Sequence, residues 1–80
     1  MKPPQTIWET KLDKRWRIKV IRIDDNFGEL RIWDRGGKKP VFVERVPLLY
    51  GAQFGPDIDD VRQWQNISVR FADSQPANRA

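Results

Sequence analysis

Asp57, Asp59 and Asp60 are the closest this chain comes to a catalytic or metal-binding constellation. Carboxylates at that spacing could act as general acid and base, or hold a divalent cation. The residues around them point elsewhere. Gly55-Pro56 precedes them and apolar residues follow at helical spacing, which marks a helix start. There, acidic side chains cap free backbone N–H groups and complement the positive end of the helix dipole. Asp24-Asp25-Asn26 lacks the spaced acids and later Glu of a calcium loop and reads as a turn. Arg35-Gly36-Gly37-Lys38-Lys39 has the glycines and cations of a phosphate-holding loop without its Gly-x-x-x-x-Gly-Lys spacing. The chain has neither His nor Cys, so the commonest general acid–base and the thiol nucleophile are missing. Ser68 and Ser74 have no imidazole to activate them. The expectation is a protein that is not an enzyme and needs no metal or cofactor.

Charge is the more informative signal. The formal net charge is +4 over 80 residues. Residues 1–23 hold seven Lys or Arg against two acids, residues 24–46 balance five against five, and residues 47–80 hold three against four. The excess therefore lies in the first quarter. A basic domain invites nucleic acid, although the same charges also keep a small domain soluble. The apolar runs are too short to span a membrane, and Met1-Lys2-Pro3-Pro4-Gln5 has no signal-peptide core. No membrane association is expected, and the default location is the cytoplasm.

The elements that must position these charges follow from hydrophobic patterning. Four segments rich in β-branched and aromatic residues, 6–12, 16–23, 28–34 and 41–46, read as strands. They are separated by Asp13-Lys14-Arg15, by Asp24-Asp25-Asn26 (with Asn26 suited to a left-handed conformation) and by Gly36-Gly37. Strand side chains alternate faces, so the apolar set fixes the register. The pattern pairs Leu12 with Trp16, Thr10 with Ile18 and Trp8 with Val20. It pairs Val20 with Leu30 and Ile18 with Ile32, then Ile32 with Val41 and Leu30 with Val43. The last register leaves Gly36-Gly37 as a two-residue hairpin turn and sets Asp34 opposite Lys39. Residues 57–72 read as a helix, with Pro56 in its first turn and Ile58, Val61, Trp64, Ile67 and Phe71 on one stripe. Ile67, Val69 and Phe71 also alternate as a fifth strand would. The strong start signal and the absence of a turn favour the helix. The expected fold is α+β, a four-stranded antiparallel meander covered by one C-terminal helix. One domain spans 6–73, with frayed ends at 1–5 and 74–80 and an apolar connection over 47–55 that packs on the sheet.

The helix should cover Trp8, Leu12, Trp16, Ile18, Val20, Leu30, Ile32, Val41 and Val43, with Trp64 as core anchor. The opposite face then carries Glu9, Lys11, Arg17, Lys19, Glu29, Arg31, Trp33, Phe42 and Glu44. Ile7, Ile21, Ile23, Phe27 and Val46 lie toward one end of it, open to a partner or buried by residues 47–55. Lys11 would face Arg17, and Glu29 would face Glu44, an unfavourable pairing of like charges. Trp33 would lie beside Arg17 as a cation–π pair.

Two binding readings result. Mixed charge and exposed aromatics suit a protein partner held by Arg17, Arg31, Trp33 and Phe42. Alternatively, Lys14, Arg15, Arg17, Lys38 and Lys39 could hold nucleic acid, with Trp33 and Phe42 as stacking surfaces. Against nucleic acid, four cations and three carboxylates leave that face with a surplus of only one positive charge. Self-association through an edge strand, or through the end bearing Ile7, Phe27 and Val46, is a third possibility.

The stretch Phe54-Gly55-Pro56-Asp57-Ile58-Asp59-Asp60-Val61-Arg62-Gln63-Trp64-Gln65 resembles the end of small uncharacterised proteins from bacteriophages of actinobacteria. The resemblance implies an accessory phage protein that works in the host cytoplasm by binding a host or phage component. It transfers no functional residues.

Overall fold

The computed structural model describes residues 5–49 and 56–75. Four strands, β1 (Thr6–Leu12), β2 (Trp16–Arg22), β3 (Phe27–Asp34) and β4 (Phe42–Pro47), precede one helix, α1 (Ile58–Asp73). The sheet is antiparallel in the order β1-β2-β3-β4, so the fold is α+β as the patterning predicts. Residues 66–72 are helical, not a fifth strand. Of the expected frayed ends, 1–5 and 74–80, residues 1–4 and 76–80 lie outside the described residues.

Two of the three predicted registers match. Leu12 faces Trp16, Thr10 faces Ile18 and Trp8 faces Val20, with a bulge at the start of β1 between Thr6 and Trp8. Ile18 faces Ile32 and Val20 faces Leu30. The first turn is tight because Asp13 and Lys14 both adopt positive φ, 56° and 59°, the conformation of a hairpin turn whose twist matches its strands. In the second turn, Asp24 Oδ1 accepts from the N–H groups of Asn26 and Phe27 at 2.8 and 2.9 Å. That side-chain bond makes the bend, so Asn26 does not need the left-handed conformation expected of it.

The third register is one residue away from the expectation. Ile32 faces Phe42, Leu30 faces Glu44 and Gly28 faces Val46. The bend centres on Arg35-Gly36, with Arg35 at φ 53° and Gly37 N–H donating to the Asp34 carbonyl at 3.0 Å. Gly37 thus falls just past the bend, and residues 37–41 add slack before β4. A one-residue shift turns every side chain to the other face. Val46 enters the core fully buried, while Val41 and Val43 are exposed, 56% and 49%.

The core lies between the sheet and α1. It contains Trp16, Ile18, Val20, Leu30, Ile32, Val46, Leu48, Trp64 and Ala72. Trp64 is wholly buried, with its ring 5.6 Å from Trp8. The buried line of the helix is Asp60, Trp64, Ser68 and Ala72, with Val61, Ile67 and Phe71 packed at its flanks. The expected stripe was therefore rotated slightly, and Ile58 falls outside it, 70% exposed. Ser68 tolerates burial because its hydroxyl donates to the Trp64 carbonyl at 2.8 Å.

Asp57 is the N-cap and Pro56 stands just before it, not in the first turn. Asp60 does more than complement the dipole. Its Oδ2 completes a capping box by accepting from Asp57 N–H, and its Oδ1 accepts from Leu49 N–H at 2.9 Å. Leu48 N–H donates to the Asn26 carbonyl at 2.8 Å, and its side chain is buried against Gly28. A Cβ at Gly28 would meet Leu48 Cδ2 at 3.3 Å and the Ile21 carbonyl at 3.1 Å, so the glycine makes room for this crossing. The expected packing of residues 47–55 on the sheet is seen at Leu48; residues 50–55 lie outside the described residues.

Candidate functional site

The sheet face away from α1 is built from cross-strand rows. Lys11, Arg17 and Trp33 form one, and Glu9, Lys19, Arg31 and Val43 form the next. Ile21, Glu29 and Arg45 form a third. The β4 register decides the charge of this face. Arg45 stands where the sequence register placed Glu44, so five cations face two carboxylates, a surplus of three.

The partner-binding set drawn from sequence does not assemble as expected. Phe42 is on the helix side, its ring 5.0 Å from Phe71, because of the β4 shift. Trp33 is on the open face but only 8% exposed. Arg17 Cζ lies 5.1 Å and Lys19 Nζ 5.9 Å from its ring centre, so the expected cation–π pair is present and the two cations roof the indole. Arg31 is paired with Glu29 at 2.6 Å. Arg17 and Arg31 remain on the face, but neither aromatic offers a free ring for base stacking. The apolar end also divides. Val46 and Ile7 pack toward the core and Ile21 is buried, while Ile23 and Phe27 are exposed, 47% and 38%.

The nucleic-acid set comes together better. The β1–β2 turn and the β3–β4 loop lie at the same end of the sheet, joined by a 2.7 Å bond from Arg35 N–H to the Arg15 carbonyl. Lys14, Lys38 and Lys39 are exposed there, with Arg35 beside them. Arg15 is committed elsewhere. Its guanidinium makes two 2.9 Å bonds to the Asp34 carboxylate, and its Cζ lies 4.2 Å from the Trp16 ring centre. That forked hydrogen bond holds the Asp34 carboxyl below its ordinary pKa against the opposing effect of burial, with the charges of Arg15 and Arg35 adding to it.

Sequence reasoning missed Arg45, and from the basic loop 35–39 it carried Lys38 and Lys39 but not Arg35 into the candidate set. The signal for Arg45 was present in the unfavourable Glu29–Glu44 pairing of the expected register; the one-residue shift replaces it with Glu29–Arg45. Arg45 also lies over Phe27, 5.5 Å from its ring centre. Among the described residues no group of three or more carboxylates is placed to hold a metal ion. No helix among them is long and apolar enough to cross a membrane.

No protein-family model, curated protein or solved structure matches this chain.

Proposed function

We propose that the chain is a non-enzymatic binding module that holds the phosphate backbone of nucleic acid against the open face of its sheet and the basic loops at one end. It would serve as an accessory protein of the kind implied by the phage-like stretch 54–65. The observation that carries this reading is the β4 register, which gives the face Arg45 in place of Glu44 and a surplus of three positive charges. Lys11 opposite Arg17 and Lys19 opposite Arg31 are like-charge pairs that a bound polyanion would relieve. With Trp33 roofed and Phe42 on the other face, contact would be with phosphates and not bases, so affinity would come mainly from counterion release. Duplex and single-stranded DNA should both bind, with little sequence preference and steep weakening by salt. Titration of labelled duplex and single strands at two salt concentrations tests this; no binding to either at low salt rejects it.

A protein partner is the second reading. It is favoured by Phe27 and Val43, which are exposed beside Arg45. Capture of a protein that survives nuclease treatment and high salt would select it over the first.

A further inference from the structure

β1 is one edge of the sheet, and its outward backbone groups can be assigned. The Arg15 carbonyl accepts from Arg35 N–H, so the odd-numbered residues of this run direct their backbone groups toward β3. Antiparallel alternation then sends the groups of Trp16, Ile18 and Val20 toward β1. The 2.8 Å bond from Arg22 N–H to the Gln5 carbonyl gives the same parity from the other end. Trp8, Thr10 and Leu12 therefore use their N–H and C=O on β2, and Glu9 and Lys11 turn theirs outward. The opposite edge, β4, is bracketed by Pro40 and Pro47, a device that blunts strand addition. β1 has a bulge only at its start, and Trp8–Leu12 runs in regular register.

We propose that β1 pairs antiparallel with β1 of a second copy about a two-fold axis at Thr10, making one continuous eight-stranded sheet. The charge pattern selects this axis. Centring the pair on Glu9 sets Glu against Glu, and centring it on Lys11 sets Lys against Lys. Centring on Trp8 places Glu9 against Ile7 in the bulge. The Thr10 axis sets Glu9 of each copy opposite Lys11 of the other, twice, at the two residues whose backbone groups point outward. Trp8 then meets Leu12 of the second copy on the helix side.

The helix side of this edge has apolar surface to cover. A groove of about 420 Å³ runs between β1 and α1, lined in part by Trp8, Leu12, Ile18 and Val69. Val69 is 46% exposed there, and Ile58, eleven residues earlier and so three turns away on the same flank, is 70% exposed. A second copy seated on β1 would lie beside the Val69 end of this groove, and an isologous contact of this kind closes after two chains.

Sedimentation equilibrium over a concentration series tests the pairing without any nucleic acid present, so its outcome is separate from that of the binding reading. The wild-type chain should dimerise. Glu9→Lys and Lys11→Glu each turn both ion pairs into like-charge pairs, and each should weaken the dimer by about tenfold or more. An equimolar mixture of the two variants restores both pairings and should give a heterodimer close to wild-type strength, as should the double variant as a homodimer. Both side chains are exposed, so each single variant should fold, and circular dichroism is the check. A monomer at every concentration, a dimer that the single variants leave unchanged, or a mixture no tighter than its components overturns the proposal.

Discussion

Glu29 on β3 faces Arg45 on β4, and this pairing fixes which side chains of the last strand meet the helix and which meet solvent. With Arg45 outward, its neighbour Val46 must turn inward, where it is fully buried. Valine substitutions read this out directly. Val46→Thr buries a hydroxyl in an apolar site and should cost about 1–3 kcal/mol in urea unfolding. Val43→Thr, on an exposed side chain, should stay within about 0.5 kcal/mol. The reverse ranking would restore the register that hydrophobic patterning alone predicts.

Trp64 should be the most sensitive position in the core. It is wholly buried beneath the sheet, and Trp64→Ala should cost about 3–5 kcal/mol, enough to unfold much of a domain this small. Its indole N–H has no hydrogen-bond partner among the described residues. Trp64→Phe keeps one aromatic ring, removes the unpaired donor and leaves only a partial cavity, so it should lose clearly less than Trp64→Ala in the same denaturant titration.

Asp60 ties the helix start to the chain leaving β4. Asp60→Ala leaves Leu49 N–H and Asp57 N–H without their acceptor and should cost about 1–3 kcal/mol. Asp59, exposed in the same first turn, contributes only through the helix dipole, and Asp59→Ala should cost about 0.3–1 kcal/mol. Thermal unfolding of both variants separates the two roles.

The Arg15–Asp34 pair should give the fold an acid-sensitive component. Because the Asp34 pKa is lowered in the folded chain, the stabilisation is complete above the ordinary carboxylate value of about 3.9 and is lost as pH falls through the lower folded value. Asp34→Asn should flatten that part of the stability–pH curve. It should also loosen the end of the sheet where the two basic loops meet. Unfolding at a series of pH values between neutral and strongly acid checks both.

Much of this architecture was legible in the sequence. Period-two patterning located four strands and fixed two registers, because Trp8 and Leu12 in β1, Trp16, Ile18 and Val20 in β2, and Leu30 and Ile32 in β3 form one apolar phase that runs across all three strands. The capping residue Asp57 and the apolar spacing around Trp64 located the helix. β4 was misread because its valines at 41, 43 and 46 occupy both phases, so pattern alone could not choose between faces. The Gly36-Gly37 pair then drew the bend one residue late, since Arg35 takes the positive φ expected of glycine. The charge conflict between Glu29 and Glu44 was the readable correction. The burial of Trp33 was not legible, because it depends on Arg17 and Lys19 folding across its ring.

The most direct test of the binding account is the salt dependence of duplex DNA binding for the wild type, Arg45→Glu and Glu44→Arg. Each phosphate contact contributes about 0.9 to the slope of log affinity against log salt. Arg45→Glu should reduce that slope by about 0.9 or more and weaken binding at low salt, whereas Glu44→Arg, on the other face, should leave the slope near its wild-type value. A slope indifferent to Arg45→Glu, or no measurable binding by the wild type at low salt, would contradict a phosphate-binding sheet.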